Sequence, residues 1–312
     1  MFRRNLLILA LLIMACVEMQ AQYDPSFSHY WAMPTAYNPA AVGKQDKINF
    51  TAAYNMSLAG FKRNPKTVFA SGDMPLELFG TNHGVGLRMV NDAIGLFSHN
   101  IIALQYAFRQ KLFGGMLAIG VQAGMLSESF DGSKVELEVT GDPAFSTSEV
   151  KGTAVDVGAG LWYQRKGWFV GASVQHLTSP TVELGETNQL DIDMSYYLMG
   201  GCNIRLKNPF LSIQPSVMGR FDGVSYRADV TARLTYNHEE RKMYAGVGYS
   251  PENSVTIFLG GRVRGIMLGY SYEVFTNGIG LGYGSHELFV GYQSDLNLFK
   301  KGRNRHQSVR IL

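Results

Sequence analysis

The residues best able to hold a metal or move a proton are seven histidines: His29, His83, His99, His176, His238, His286 and His306. Their spacing denies them that work. None stands with another histidine, a cysteine or an acidic residue in a recognised ligand pattern. His286-Glu287 comes nearest, but it lacks the second histidine of a zinc-protease helix and lies in strand-like sequence. There is no Gly-x-Ser-x-Gly nucleophile elbow, and nothing around Cys202 would activate its thiol. Only a serine site assembled from separate strands would leave enzymatic chemistry a route. Phosphate-cradling glycine loops are absent and no cofactor is implied. Gly278, Gly280, Gly282 and Gly284 alternate instead, so on a strand they share one face. There they admit a plug or a neighbouring chain closely, or leave a bent wall bare.

Arginines form the second group. Arg88, Arg109, Arg205, Arg220, Arg233 and Arg262 are spaced singly within or beside apolar alternating segments. Facing lipid they would be costly, so a lumen or its rims is their place. They would seal an interior through carboxylate partners, attract anions passing through, or stand as rim charges. The chain's basicity lies elsewhere. Arg3, Arg4, Lys300, Lys301, Arg303, Arg305 and Arg310 more than account for a net charge of +3, so the body is near neutral. A nucleic-acid footprint needs basic residues gathered on one face of the fold, and none is present. The tail is a solvated terminus or a docking segment for an acidic partner.

These residues need elements to carry them, and composition limits the choice. Charged residues make up 17% and hydrophobic ones 46%, beside 35 glycines, 16 tyrosines and 18 phenylalanines. A soluble protein carries nearer a quarter charged residues, and a helical membrane protein needs apolar runs of about 20 residues. Residues 1–21 read as a targeting leader: Arg3 and Arg4 precede an apolar stretch, Leu6 to Met14, too short to span a bilayer. Cys16 is removed with that leader, or acylated if Ile13-Met14-Ala15-Cys16 acts as a lipoprotein signal. Cys202 then has no partner, and the scaffold holds without a disulfide.

Beyond residue 47 one theme repeats. Ile102, Leu104, Tyr106 and Phe108 alternate with Ala103, Gln105, Ala107 and Arg109. Val230, Ala232, Leu234 and Tyr236 alternate with Thr231, Arg233 and Thr235. Successive strand side chains leave opposite faces. A second face rich in glycine, alanine and short polar residues fits a crowded lumen, and aromatics such as Tyr236 and Tyr249 fit headgroup level. The pattern predicts strands at 48–58, 66–75, 84–91, 97–109, 113–125, 153–165, 168–178, 192–204, 210–220, 226–237, 241–250, 253–263, 266–275 and 284–294. The expected fold is all-β: a single antiparallel transmembrane barrel of about 14 strands, over 48–299. The long connections 126–152 and 179–191 would then lie outside the cell, and both barrel termini in the periplasm. Residues 22–47 form a separate N-terminal segment, a plug or gasket or an aromatic staple through Tyr30, Trp31 and Tyr37. Residues 300–312 form the basic tail.

Two sequence signatures carry a family resemblance. Tyr23-Asp24-Pro25-Ser26-Phe27-Ser28-His29-Tyr30 resembles the mature start of the PorP/SprF family, outer-membrane proteins of the type IX secretion and gliding machinery of Bacteroidota. The family continues with two Asn-Pro steps and an alanine-glycine close. The second step is Tyr37-Asn38-Pro39-Ala40-Ala41-Val42-Gly43, while the first is altered to Met33-Pro34. Near the end, Gly284-Ser285-His286-Glu287-Leu288, followed by Gly291-Tyr292, is similar to the family's last-strand signature. Phe61-Lys62 and the run Val68 to Pro75 are also similar. The resemblance implies a non-enzymatic role in secreting or anchoring exported proteins. Its partners would be the type IX machinery with its periplasmic components, large surface adhesins and outer-membrane lipid. A solute channel with an arginine-lined lumen is the alternative reading of the same barrel.

Overall fold

The computed structural model describes residues 24–134, 148–185, 188–238, 241–277 and 283–295. The leader, Cys16, Gly278, Gly280, Gly282 and the basic tail lie outside these residues. Among the described residues fourteen barrel strands follow in chain order. The first seven are β1 Lys47–Met56, β2 Lys66–Leu78, β3 Thr81–Ile94, β4 Phe97–Leu112, β5 Gly115–Asp131, β6 Glu149–Arg165 and β7 Trp168–Gln175. The second seven are β8 Ser195–Cys202, β9 Leu211–Phe221, β10 Tyr226–His238, β11 Arg241–Ser250, β12 Ser254–Val263, β13 Ile266–Phe275 and β14 Ser285–Asp295. The two-residue stretch Ile204–Arg205 prolongs β8 along β9 past Asn203.

Every neighbour pairs antiparallel, and β1 closes the ring on β14, with Ala52 opposite Val290 and Asn55 opposite Glu287. Closure leaves no unpaired edge, which lipid would not tolerate. An even, antiparallel count brings the start of β1 and the end of β14 to the same end of the barrel. Turns at that end are tight. Phe79-Gly80, Phe113-Gly114 and Arg264-Gly265 each place both residues at positive φ (53° and 73°, 50° and 72°, 50° and 85°). That is the two-residue turn whose twist matches the strands, and glycine takes the second position without strain.

The alternation sorts as the sequence pattern predicts. Ile102, Leu104, Tyr106 and Phe108 face outward, Leu104 at 69% exposure, whereas Ala103, Gln105, Ala107 and Arg109 are buried. Tyr236 and Tyr249 both face out, at opposite ends of their neighbouring strands. Cys202 is exposed at the end of β8 with no disulfide.

Boundaries differ where strands outrun the apolar band. β2 and β3 meet at Phe79-Gly80 rather than breaking near Pro75, and β5 continues through Asp131. Along the added length of β5 the outward face turns polar, at Ser127, Ser129 and Asp131, so hydropathy stops marking a strand that hydrogen bonding still extends; β2 keeps outward Leu76 and Leu78 past Pro75. The connection expected over 179–191 contains a hairpin, Thr181–Leu184 with Asn188–Asp191. It folds back on the lumen side: the Glu183 carbonyl lies 2.2 Å from where a Cβ on Gly152 would stand, and Val182 and Ile192 are buried.

An outward face in lipid makes a sharp prediction at the middle of β4. Leu104→Arg should destabilise the barrel by about 2–4 kcal/mol in vesicles, the range for arginine at the bilayer midplane. Urea titration read by the mobility of unboiled protein measures this. A shift within about 0.5 kcal/mol, typical of a water-facing surface change, would place that face in water.

Candidate functional site: the filled lumen

The interior of the ring is occupied by the chain's own N-terminal segment. Phe27, His29, Tyr30, Met33, Tyr37, Asn38, Ala40, Ala41 and Val42 are all nearly inaccessible. The segment has few long runs of internal hydrogen bonding, so its backbone polar groups need partners elsewhere. Two prolines make this possible by seeding short 3-10 turns, Pro34–Ala36 and Pro39–Ala41. Asn38 caps the second: its Oδ1 accepts from the Ala40 amide at 2.9 Å. Its Nδ2 donates to the Leu161 and Ala172 carbonyls of β6 and β7, at 3.0 and 3.2 Å. At the altered step, Met33 offers no such cap and is simply buried.

Barrel side chains satisfy the remaining carbonyls. Arg88 donates to the Ala36 carbonyl and, at 2.7 Å, to Gln175 Oε1. Gln175 donates to the Ala36 and Tyr37 carbonyls (3.1 and 2.9 Å), and Gln105 to Thr35 (2.9 Å). Arg109 reaches the carbonyls of Val42 and Lys44 at 3.1 and 3.4 Å. Glycines leave room for this approach. A Cβ on Gly120 would lie 2.3 Å from the Ala40 nitrogen, and one on Gly84 would lie 2.2 Å from the Val42 oxygen. Gly43 itself sits at φ +63° against Gly84, with its amide donating to Asp73 at 2.9 Å.

The strongest junction joins the two ends of the sequence. Glu287, on β14 and 1% exposed, accepts from the amides of Ser28 (2.7 Å) and His29 (2.9 Å). His29 Nδ1 lies 2.6 Å from the same carboxylate, and Asn55 Nδ2 donates to it across the β1–β14 seam at 3.3 Å. The imidazole is fixed further by Tyr244 at its Nε2 (3.1 Å) and by stacking on Phe289, ring centres 5.4 Å apart. Tyr30 reaches the Asp229 carbonyl at 3.2 Å.

The expected site residues therefore separate. Asp24, Phe27, Ser28, Tyr30, Asn38, Pro39, Gly43, Ser285 and Glu287 converge inside the ring, and Pro25 follows Asp24. His286 does not join them. Period two turns it outward beside Tyr270 (2.8 Å) and Tyr272, while Ser285 and Glu287 point in. Gly284 packs at the loop end under the Tyr272 ring. Of the arginines, Arg220 alone makes the expected carboxylate pairing, with Asp229 at 2.9 Å. Arg227 extends that network to Glu273. Arg233 lies against the Trp31 ring at 3.5 Å, and Arg262 donates to Gln293 at 2.7 Å. Arg205, at the short-turn end, is exposed.

Residues that the sequence reading passed over carry much of the load. His29 stands in the N-terminal signature and fits no metal spacing, and neither fact points to its partner 258 residues away. Gln105, Gln122 and Gln175 stood out as lone amides on otherwise small-residue faces, the signal that would have found them. At the loop end His176 bridges Asp156 (3.0 Å) and Asp24 (3.1 Å), and Tyr197 donates to Asp24. Among the described residues no group of three or more His, Cys, Asp or Glu is arranged to hold a metal.

The loop-end cluster sets charges. Burial opposes ionisation of Asp24, but the facing His176, with hydrogen bonds from His176 and Tyr197, outweighs it and holds the carboxyl well below its usual 3.8. Burial likewise opposes His176, and Asp24 and Asp156 outweigh it, raising the imidazole from 6.5 to about 10. A raised histidine stabilises fully below its unfolded pKa and loses that contribution as pH rises through its folded one. Stability should therefore decline from pH 6.5 towards 10, and separately fall at acid pH as Asp24 protonates. His176→Asn should flatten the alkaline slope in urea titrations; an unchanged slope would contradict the assignment. At the seam, Glu287→Gln should cost about 3 kcal/mol, because it brings an amide donor against buried N–H groups. A loss below about 0.5 kcal/mol, an ordinary surface effect, would mean the junction contributes little.

No curated protein matches the sequence. Among solved structures, the CymD monoaromatic hydrocarbon channel aligns with a TM-score of 0.48 at 11% identity, covering 84% of this chain and 91% of that one. A FadL homologue of Pseudomonas aeruginosa aligns at 0.43 and 12%, covering 83% and 92%. At such scores the likeness decides nothing about ligands. The model of the family described as type IX secretion system membrane protein PorP/SprF matches residues 19–292. With both signatures meeting at Glu287 inside an outer-membrane barrel, the chain belongs to the PorP/SprF family.

Proposed function

We propose that this non-enzymatic component of the type IX secretion system works as a closed anchor, with large exported surface proteins such as adhesins as the clients. The observation that carries the reading is the occupied lumen. Residues 24–44 satisfy their backbone on the wall from β1 to β14, and the 181–191 hairpin covers the loop end. A solute would have to break many buried hydrogen bonds to pass. Work done by such a barrel falls to its rims and outer wall, where polypeptides can dock.

In this reading residues 1–21 are removed on export, and the short-turn end, where β1 begins and β14 ends, faces the periplasm, where the machinery's periplasmic components stand. Short turns at that end and longer connections at the other support the orientation. The segment 22–47 acts as the plug, and the tail from 300 to 312 is available for an acidic partner.

The reading is tested by affinity purification of tagged protein from gently solubilised outer membranes, paired with planar-bilayer recordings. Type IX components or a large surface protein should co-purify near stoichiometrically, and the purified barrel should show no stepwise conductance. Recovery of the barrel alone, together with stable conductance steps, would move the arginine-lined channel to the front.

A further inference from the structure

Below the plug, at the short-turn end where β1 begins and β14 ends, lies a cavity of about 380 Å³. Its lining is electrically lopsided. Lys44, Arg165, Arg233, Lys242 and Arg262 are cationic, and Asp73 is the one carboxylate among the described lining residues. Asp73 is already engaged, accepting from the Gly43 amide and from Asn49 at 2.9 and 3.1 Å.

Arg233 is the informative member. It is 6% exposed, yet it has no carboxylate partner and no side-chain hydrogen bond among the described residues; its guanidinium rests only on Trp31. The other lumen arginines are used: Arg88 and Arg109 on plug carbonyls, Arg220 on Asp229. Burying a cation without an anion is costly. Nearby, Lys242 and Arg262 stand directly opposite each other on β11 and β12, a like-charge pair that destabilises a sheet. The buried Nε of Arg262 also lacks an acceptor. A fold that merely needed to close its mouth would gain by replacing these residues with neutral ones.

We propose that this cavity is a binding site for a small oxyanion, a phosphate or carboxylate group, held by Arg233 with Lys242, Arg262 and Lys44. The guanidinium of Arg233, 3.5 Å above the centre of the Trp31 ring, keeps N–H donors that no described residue uses, and such a fork suits the paired hydrogen bonds that these groups accept. The occupant neutralises the cross-strand pair and links the plug, through Trp31 and Lys44, to β10, β11 and β12. The chain's own tail is a poor candidate, because 300–312 is rich in lysine and arginine.

The test is calorimetric titration of the full-length barrel in detergent with inorganic phosphate and, separately, succinate, at fixed ionic strength. Arg233→Gln and Lys242→Gln are run alongside, each first checked for native mobility without boiling, and Lys151→Gln at the opposite end serves as control. Saturable binding of either anion, weakened about tenfold in both lumen variants and unchanged in the control, is expected. The tighter anion identifies the source as phosphoryl or carboxylate. Absence of saturable binding of both anions, or binding by both lumen variants equal to wild type, would overturn the site.

Discussion

A buried carboxylate organises this barrel. Glu287 stands on the strand that closes the ring, opposite Asn55 on the strand that opens it, and collects donors from Ser28, His29 and Asn55. A carboxyl group at 1% exposure is tolerated only with such a set of hydrogen-bond partners. The seam is formed by the first and last strands, so the junction exists only once the ring has closed. Closure and insertion of the N-terminal segment are therefore coupled, and the two sequence signatures are two halves of one contact.

The rest of the interior follows from filling a lumen with irregular backbone. Such backbone cannot satisfy itself as a helix does, so the wall must carry long donors at the right heights. Arg88, Arg109, Gln105, Gln175 and Ser173 do this, aimed at carbonyls from Thr35 to Lys44. Between them the wall must recede, which is why Gly84, Gly120 and Gly160 face the segment at its closest approaches. Wall and plug are thus matched by clearance as well as by hydrogen bonds.

Much of this was legible. Alternation at 102–109 separates the lipid face from the lumen face, and Asn38-Pro39 announces a capped rigid turn. The same period of two also places His286 opposite Glu287, so treating the late signature as one site overlooked a constraint already in the sequence. What remained hidden has a physical cause. The partners of Arg88 and Arg109 are backbone carbonyls, which leave no mark on residue type, and His29 meets a carboxylate from the far end of the chain. The hairpin at 181–191 was obscured because its strands are short and acidic, with only Val182 and Leu184 to show a buried face.

Residues 24–44 form part of the folded interior. Amide hydrogen exchange on the unmodified barrel in lipid tests it directly, since Ser28, His29, Ala40 and Gly43 all donate to buried acceptors. Peptides from this segment should show protection comparable with those from β4 and β5. Exchange as fast as that of an exposed loop, with the strands still protected, would mean that the segment does not fill the lumen.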